Sequence, residues 1–161
     1  RLEMALLHGT GPIKGVRFEP ILSEEFFLVA HRDFAIEADT KPVAVNALDG
    51  IPLLLPPAYN FVRRAVDTAF TRTRTNLKVV AEVEIVRTLA RAVGSGLGAT
   101  IMPKAIADRI VSESSEPLIC RLVSPRIEET LSLCVSDQNP LSEPALAVRD
   151  ILLELTARLK A

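Results

Sequence analysis

The chain has few of the residues on which several functional classes depend. It contains no tryptophan, one tyrosine, two histidines and two cysteines in 161 residues. Two cysteines are too few for a disulfide scaffold and indicate a reducing compartment, here the cytoplasm. Cys120 and Cys134 could face each other across a hairpin centred near Ile127, so free thiols and a bridge both stay open. Neither histidine has ligand-like spacing to them, and we predict no metal and no cofactor.

Charge of one sign and long apolar runs are also lacking. Lysine and arginine number 19 against 20 aspartates and glutamates, for a net charge of −1. No strongly basic face is implied, so this segment is not expected to hold nucleic acid unaided. No apolar run approaches the roughly 20 residues that span a bilayer, and no membrane partner is predicted. The 48% hydrophobic content is that of an ordinary globular domain.

The clearest pattern present is the stretch 84–103, EIVRTLARAVGSGLGATIMP. Four apolar residues recur at helical spacing and predict one buried helix face: Ile85, Leu89, Ala92 and Val93. The glycines that follow predict the end of this helix, and 99–102 predicts a buried strand. With the preceding strand, 77–83, this forms a strand–helix–strand unit, which implies a parallel sheet.

Strands and amphipathic helices alternate along the rest of the chain. A proline-bounded strand at 51–57 precedes a helix at 59–72, and a last helix begins near Ser142. The predicted apolar side of that last helix is Leu146, Val148, Ile151, Leu152, Leu155 and Leu159. This alternation predicts the α/β class. Long connections after Ala30 and after Val135 allow two lobes with a ligand between them.

No catalytic set is predicted, and we expect no enzyme. Gly94, Gly96 and Gly98 are spaced like part of a dinucleotide fingerprint, but such a loop leaves a strand and opens a helix. Here the helix comes first, which favours a simple helix end. Ser95 lies in the same turn rather than on a nucleophile elbow. His8 and His31 have no spacing that ties either of them to a nucleophile.

Three polar features leave alternatives open. Glu82 and Glu84 share one side of a strand end, where they are either an acid–base pair or solvated charges. Pro56–Asn60 opens a helix after a buried strand, and its free amides favour an anion or serve the helix alone. There Tyr59 and Asn60 add directional polar groups. Four arginines either meet an anion or nucleic acid or are solvated: Arg63, Arg64, Arg72 and Arg74.

The order of these segments resembles the C-terminal regulatory, or effector-binding, domain of LysR-type transcriptional regulators. The likeness covers essentially the whole chain. It rests on LEMALL (2–7), LSEEFFLVAHRD (22–33), IPLLLPP (51–57) and above all ARAVGSGLGATIMPKAIA (90–107). LPPAYNFVRRAVDTAF (55–70) and VVAEVEIVRTL (79–89) are most similar to nitrogen assimilation control regulators.

The resemblance implies a two-lobed fold like that of type 2 periplasmic binding proteins. Two crossover strands, near Phe26–His31 and Leu131–Ser136, would join the lobes. Subdomain I would comprise 1–28 and 133–161, and subdomain II 29–132. Because Leu2 already lies in a strand pattern and no signal peptide precedes it, we expect an incomplete N-terminus. The resemblance implies that the first part of lobe I is missing.

The resemblance also implies a function. The chain would be a regulatory and oligomerisation domain that controls transcription, in a nitrogen-related context, through lobe or oligomer geometry. The implied partners are a second copy, in a homodimer or homotetramer, and DNA only through the absent N-terminal domain. A small effector and RNA polymerase stay open as further partners. The alternative is a stand-alone solute-binding domain of the same fold.

By position, the family's effector cleft maps to twelve residues of this chain. They are His8, Gly9 and Thr10 in lobe I, and Pro56, Pro57, Tyr59, Asn60, Val83, Glu84, Ile85, Thr100 and Met102 in lobe II. Family members often carry a small hydroxyl residue where this chain has Ile85. That departure removes a polar contact, so a cleft without a ligand is also implied.

Overall fold

A computed structural model describes residues 2–9, 11–34, 36 and 42–160. The strands are β1 (Met4–His8), β2 (Val16–His31), β3 (Val43–Ala44), β4 (Pro52–Leu55), β5 (Lys78–Glu82), β6 (Thr100–Pro103), β7 (Leu118–Ser124) and β8 (Glu128–Ser136). The helices are α1 (Phe61–Arg72), α2 (Val86–Gly94), α3 (Lys104–Glu113) and α4 (Glu143–Lys160), with a 3-10 turn at Val45–Leu48. This alternation confirms the α/β class.

The chain divides into two compact units. Unit 1 comprises residues 1–24 and 129–161, and unit 2 comprises residues 25–128. The chain therefore passes from one unit to the other within β2 and again within β8. The two crossovers implied by the family resemblance, at Phe26–His31 and Leu131–Ser136, lie in these same strands. The subdomain limits 1–28, 133–161 and 29–132 stay a prediction.

Unit 2 is built on a mixed sheet. The second half of β2 pairs antiparallel with β6 on one side and with β7 on the other. A parallel pair of residues links β3 to β7, and β4 runs parallel to β5. Leu53 of β4 forms a parallel bridge with Ala99, just before β6. The helices α2 and α3 pack on each other, and α1 packs against β6.

The predicted strand–helix–strand unit is confirmed, with β4 inserted between its two strands. The helix α2 ends at Gly94, and Gly96 adopts a φ of +73°, the left-handed conformation that commonly ends helices. A Cβ at Gly98 would lie 2.9 Å from the carbonyl oxygen of Pro52. The turn therefore needs glycine to pack against β4, and the glycines serve the backbone rather than a phosphate.

The prediction that Ile85 lies on the buried face of this helix is wrong. The helix begins at Val86, and Ile85 is its N-cap residue in an extended conformation. Helical spacing does not apply to a residue outside the helix, and Ile85 is 68% exposed. Leu89 and Val93, which lie within α2, are buried as predicted.

The core of unit 2 is large and almost closed to solvent. Strands β2, β4 and β6 contribute Phe26, Leu53 and Ile101, each of them fully buried. Phe70 of α1 is 1% exposed and belongs to the same cluster. Burial of an aliphatic or phenyl side chain contributes about 1.5–3 kcal/mol to the free energy of unfolding, so this cluster stabilises the unit.

Unit 1 has a much smaller core. It consists of β1 antiparallel to β8, the first half of β2 beside β8, and α4. The buried cluster contains Ile21, Leu133 and Val135, with Leu152 and Leu153 of α4 packed against it. The predicted apolar side of α4 is only partly covered by the cluster. The residues Leu146, Val148, Ile151, Leu155 and Leu159 of that side are 43–72% exposed.

The two cysteines lie in different units and are free. Cys120 of β7 is opposite Val29, and Cys134 of β8 is opposite Ala5. Burial raises the pKa of both thiols; for Cys120 the nearby Asp108 adds to the rise and Lys104 opposes it. Within the described residues, none of the helices has the length and apolar character of a membrane span.

Candidate functional site

The predicted site residues fall into both units. His8 ends β1 in unit 1, and its Nε2 lies 3.3 Å from a carboxylate oxygen of Glu24. The Gly9 amide donates to the carbonyl of Thr130 at 3.3 Å. Thr10 lies outside the described residues. The remaining predicted residues belong to unit 2, and the grouping of both sets in one cleft stays a prediction.

In unit 2, polar groups of the segment before α1 form hydrogen bonds with α1 and within the segment itself. The side-chain oxygen of Asn60 accepts a hydrogen bond from the Val62 amide at 2.9 Å, which makes Asn60 the N-cap of α1. The carbonyl of Pro57 accepts the Asn60 amide at 2.9 Å, and the carbonyl of Pro56 accepts from Arg63 at 3.2 Å. The side-chain oxygen of Asn60 is therefore engaged by its own helix, and an anion at Pro56–Asn60 stays an open alternative.

Two side-chain contacts link the end of β5 and the connector between β5 and α2 to α1 and to the segment just before it. Glu84 accepts a hydrogen bond of 2.7 Å from the Tyr59 hydroxyl. Glu82 accepts a hydrogen bond of 3.3 Å from Arg63. Between these two glutamates, the Val83 amide donates to the carbonyl of Leu55 at 2.9 Å. Each carboxylate thus has its own partner on α1 or just before it.

We refer to Pro57, Tyr59, Glu84 and Ile85 as the Tyr59 surface. Tyr59 is 69% exposed and Ile85 is 68% exposed, so an aromatic ring and an aliphatic chain face solvent beside a carboxylate. The hydrogen bond to Glu84 raises the pKa of Tyr59 above its usual value, with smaller contributions from desolvation and from the charges of Glu84 and Glu82. The phenol therefore acts as a hydrogen-bond donor at neutral pH and not as a base.

Thr100 and Met102 do not belong to this accessible surface. Thr100 is fully buried, and its hydroxyl donates to the carbonyl of Leu54 at 2.7 Å. Met102 is 3% exposed and lies opposite Phe27 in the sheet. Both side chains are enclosed by β2, β4 and β6, so neither offers an atom to a small molecule in this conformation.

The arginines that sequence analysis left open have different environments. Arg63 is mostly buried and contacts Asp67 at 3.0 Å as well as Glu82. Arg64 donates to the carbonyl of Tyr59 at 2.6 Å. Arg72 and Arg74 are exposed near the end of α1. In residues 2–9, 11–34, 36 and 42–160, no cluster of histidine, cysteine or carboxylate side chains has a geometry that could hold a metal ion.

A shallow hollow elsewhere in unit 2 was not anticipated. It has a volume of about 420 Å³ and is lined by Ala44, Val45, Asn46, Thr73, Ser124 and Pro125. These residues come from three separate segments, and no spacing rule links them in the sequence. The lining contains no ionisable side chain and none of the twelve predicted site residues, so the hollow offers no acid–base or metal chemistry.

Comparison with known proteins identifies the family. A family model described as the LysR substrate binding domain matches residues 1–157. The chain belongs to the LysR substrate-binding domain family. It is 35% identical over 158 residues to the nitrogen assimilation regulatory protein nac of Klebsiella aerogenes, with 98% of this chain and 50% of that protein covered. The nac protein of Escherichia coli K12 is 32% identical over 155 residues, with 96% and 49% covered.

Solved structures of LysR regulatory domains share the fold. The CcmR regulatory domain of Synechocystis PCC6803, in complex with 2-PG, has a TM-score of 0.81 at 15% identity, covering 96% of this chain and 73% of that one. The effector binding domain of QuiR, in complex with shikimate, has a TM-score of 0.80 at 16% identity, covering 97% and 72%. These likenesses confirm the predicted fold class. This LysR-family chain spans about half the length of the curated relatives it matches.

Proposed function

We propose that this LysR-family chain is the regulatory part of a cytoplasmic transcriptional regulator that acts in nitrogen-related gene control. The observation that carries the proposal is the likeness of nearly the whole chain to two nitrogen assimilation regulatory proteins. The site supports it because the polar groups around Tyr59 satisfy one another and present no nucleophile with a base. In this proposal the chain is not an enzyme. The solute-binding alternative is not favoured, since both relatives are regulators.

The proposed mechanism is a change of geometry between associated copies. The regulator would form a homodimer or homotetramer, and DNA would be contacted by a part of the protein outside these 161 residues. A rearrangement of units or subunits would then change the spacing of the DNA-contacting parts on the operator and the access of RNA polymerase. A small effector, if one takes part, must bind one arrangement more tightly than the other to shift that equilibrium.

The function is tested in the organism that carries the gene. Deletion of the coding region is expected to change the set of transcripts that responds to nitrogen limitation, and a chromosomal copy is expected to restore it. A matched deletion strain that carries the Phe70→Ala variant is expected to respond only weakly, because the variant loses a buried core side chain. Identical transcript profiles of the wild-type strain and the deletion strain under nitrogen limitation would contradict the proposal.

Self-association is tested on the intact regulator. In sedimentation velocity experiments without DNA, we expect a species at least twice the monomer mass over the micromolar concentration range. A monomer at every concentration would rule out oligomer geometry as the regulatory mechanism.

A further inference from the structure

The Tyr59 surface holds a carboxylate of the chain itself at the point where the connector enters α2. Glu84 precedes the N-cap residue Ile85, whose side chain makes no capping hydrogen bond. A negative charge is favourable near the N-terminus of a helix, because the amide groups there are only partly satisfied. Tyr59 approaches the same carboxylate from the segment before α1 and donates to it at 2.7 Å.

We propose that Glu84 is a specificity-determining residue, which engages the Tyr59 hydroxyl and so closes the Tyr59 surface to small acids. The inference rests on the proposed regulatory function and narrows the chemistry of any effector. An acid that approaches this surface would compete with Glu84 for the Tyr59 hydroxyl. Glu84 already occupies that donor and repels a second negative charge at short range.

The neighbouring charges support this assignment. Glu82 places a second carboxylate two residues before Glu84, and Asp67 on α1 adds a third. Arg63 is the cation nearest to both of these, and its guanidinium is shared among Asp67, Glu82 and the carbonyl of Pro56. The Arg63 N–H groups therefore bind acceptors of the chain itself and not those of an added acid.

Two further cations belong to the same region. The guanidinium of Arg64 donates to the Tyr59 carbonyl at 2.6 Å, so one of its nitrogens is already used. Arg87 is exposed in the first turn of α2 and is the group that would attract an acid. We expect the repulsion of an acid by Glu84 to outweigh its attraction by Arg87. The reason is that Glu84 also occupies the Tyr59 hydroxyl, the directional hydrogen-bond donor of this surface.

The first test uses the fact that Tyr59 is the only tyrosine in the chain. Titration of its phenol by absorbance near the phenolate maximum reports this contact without any label. The wild-type pKa is expected above the usual value for tyrosine, because ionisation would break the hydrogen bond to Glu84. Glu84→Gln is expected to shift the pKa downward, since the glutamine carries no negative charge. Far-UV circular dichroism verifies that the variants stay folded.

The matched control is Glu82→Gln, which removes a carboxylate two residues away that contacts Arg63 and not Tyr59. Its downward shift is expected to be smaller, because only its charge acts on the phenol. A Glu84→Gln variant that titrates like the wild type would overturn the inference. So would a larger shift in Glu82→Gln than in Glu84→Gln.

The second test measures closure to acids directly. Succinate is titrated into the wild-type chain at constant ionic strength, with sodium chloride as the matched salt, and Tyr59 emission is followed. We expect no saturable change that exceeds the sodium chloride control. A saturable change in the wild type would show that the surface accepts an acid and would overturn the proposal. Both tests are independent of transcription. If deletion of the gene changes no transcript but the Tyr59–Glu84 contact is confirmed, only the proposed regulatory function is refuted.

Discussion

The two units of the molecule differ in how completely they cover their own apolar surface. Among the described residues of unit 2, three α-helices accompany a mixed sheet, and residues such as Phe26, Leu28 and Val66 are fully buried. The described part of unit 1 has one helix with three strands, and its buried cluster contains Ile21, Leu133 and Val135. A strand and helix layer is stable only when its apolar face is covered. Unit 2 meets that condition within residues 25–128, and unit 1 meets it only in part.

The exposed side of α4 shows the contrast most clearly. Four of its apolar residues recur every three or four positions, on one stripe of the helix: Val148, Ile151, Leu155 and Leu159. Each of them is 47–72% exposed, whereas Leu89 and Val93 on the buried stripe of α2 are at most 1% exposed. Helical periodicity therefore predicts which residues share a face, but it does not show whether another element covers that face.

The largest effect is expected from a cavity in the core of unit 2. Phe70→Ala is expected to lower the free energy of unfolding by about 3–5 kcal/mol, because the deleted ring leaves a buried void. The truncation of an apolar side chain on the exposed side of α4 in unit 1, Leu155→Ala, is expected to lower the free energy of unfolding by only about 0.5 kcal/mol. That side chain is half exposed. Urea denaturation followed by circular dichroism compares the two variants. Equal losses would break the contrast between the units.

A smaller effect is expected where the turn after α2 meets β4. Gly98→Ala is expected to lower the free energy of unfolding by about 1–3 kcal/mol, since the new Cβ would press on the Pro52 carbonyl and the Leu54 side chain. Gly11→Ala in unit 1 is the control, because a Cβ there meets no atom within 4 Å. Thermal denaturation of both variants measures the difference. A Gly98→Ala variant as stable as Gly11→Ala would disprove the close approach.

The smallest effect concerns the two thiols, one in each unit. Because burial raises the pKa of Cys120 and Cys134, both are protonated at neutral pH and become thiolates only in more alkaline solution than an exposed cysteine. Reaction with a thiol reagent such as Ellman's reagent is therefore expected to be slow at pH 7 and to accelerate as the pH rises. Unfolding in urea is expected to release both thiols. Rapid reaction of the folded chain at pH 7 would contradict this environment.

Sequence reasoning succeeded where the signal was local. The end of α2 and the buried strand β6 follow from the glycines at 94–98 and from the mostly apolar run 99–102. It failed for Ile85, because one residue decides whether a side chain lies in the helix or before it. The Tyr59–Glu84 contact joins residues 25 positions apart, and no spacing rule could pair them. Asn60 was identified as a polar group at a helix start, but its capping role required the backbone geometry.

The contrast between the units also bears on function. The predicted site residues of unit 2 lie on a stable base, and their polar groups are held by one another. With the closure by Glu84 that we propose, this surface changes little when a small acid is added. In the function that we propose, the regulatory response comes from the arrangement of units and subunits; within these 161 residues, we expect unit 1 to have the lower local stability.

The most direct measurement of this account is a urea titration of the wild-type chain with two probes. Tyr59 emission reports unit 2 alone, because it is the only tyrosine and no tryptophan is present. Circular dichroism at 222 nm reports the helices of both units, including α4. We predict that part of the circular dichroism signal is lost at lower urea concentration than the change in Tyr59 emission. Superimposable transitions would contradict the claim that unit 2 covers its own apolar core and is therefore the more stable of the two units.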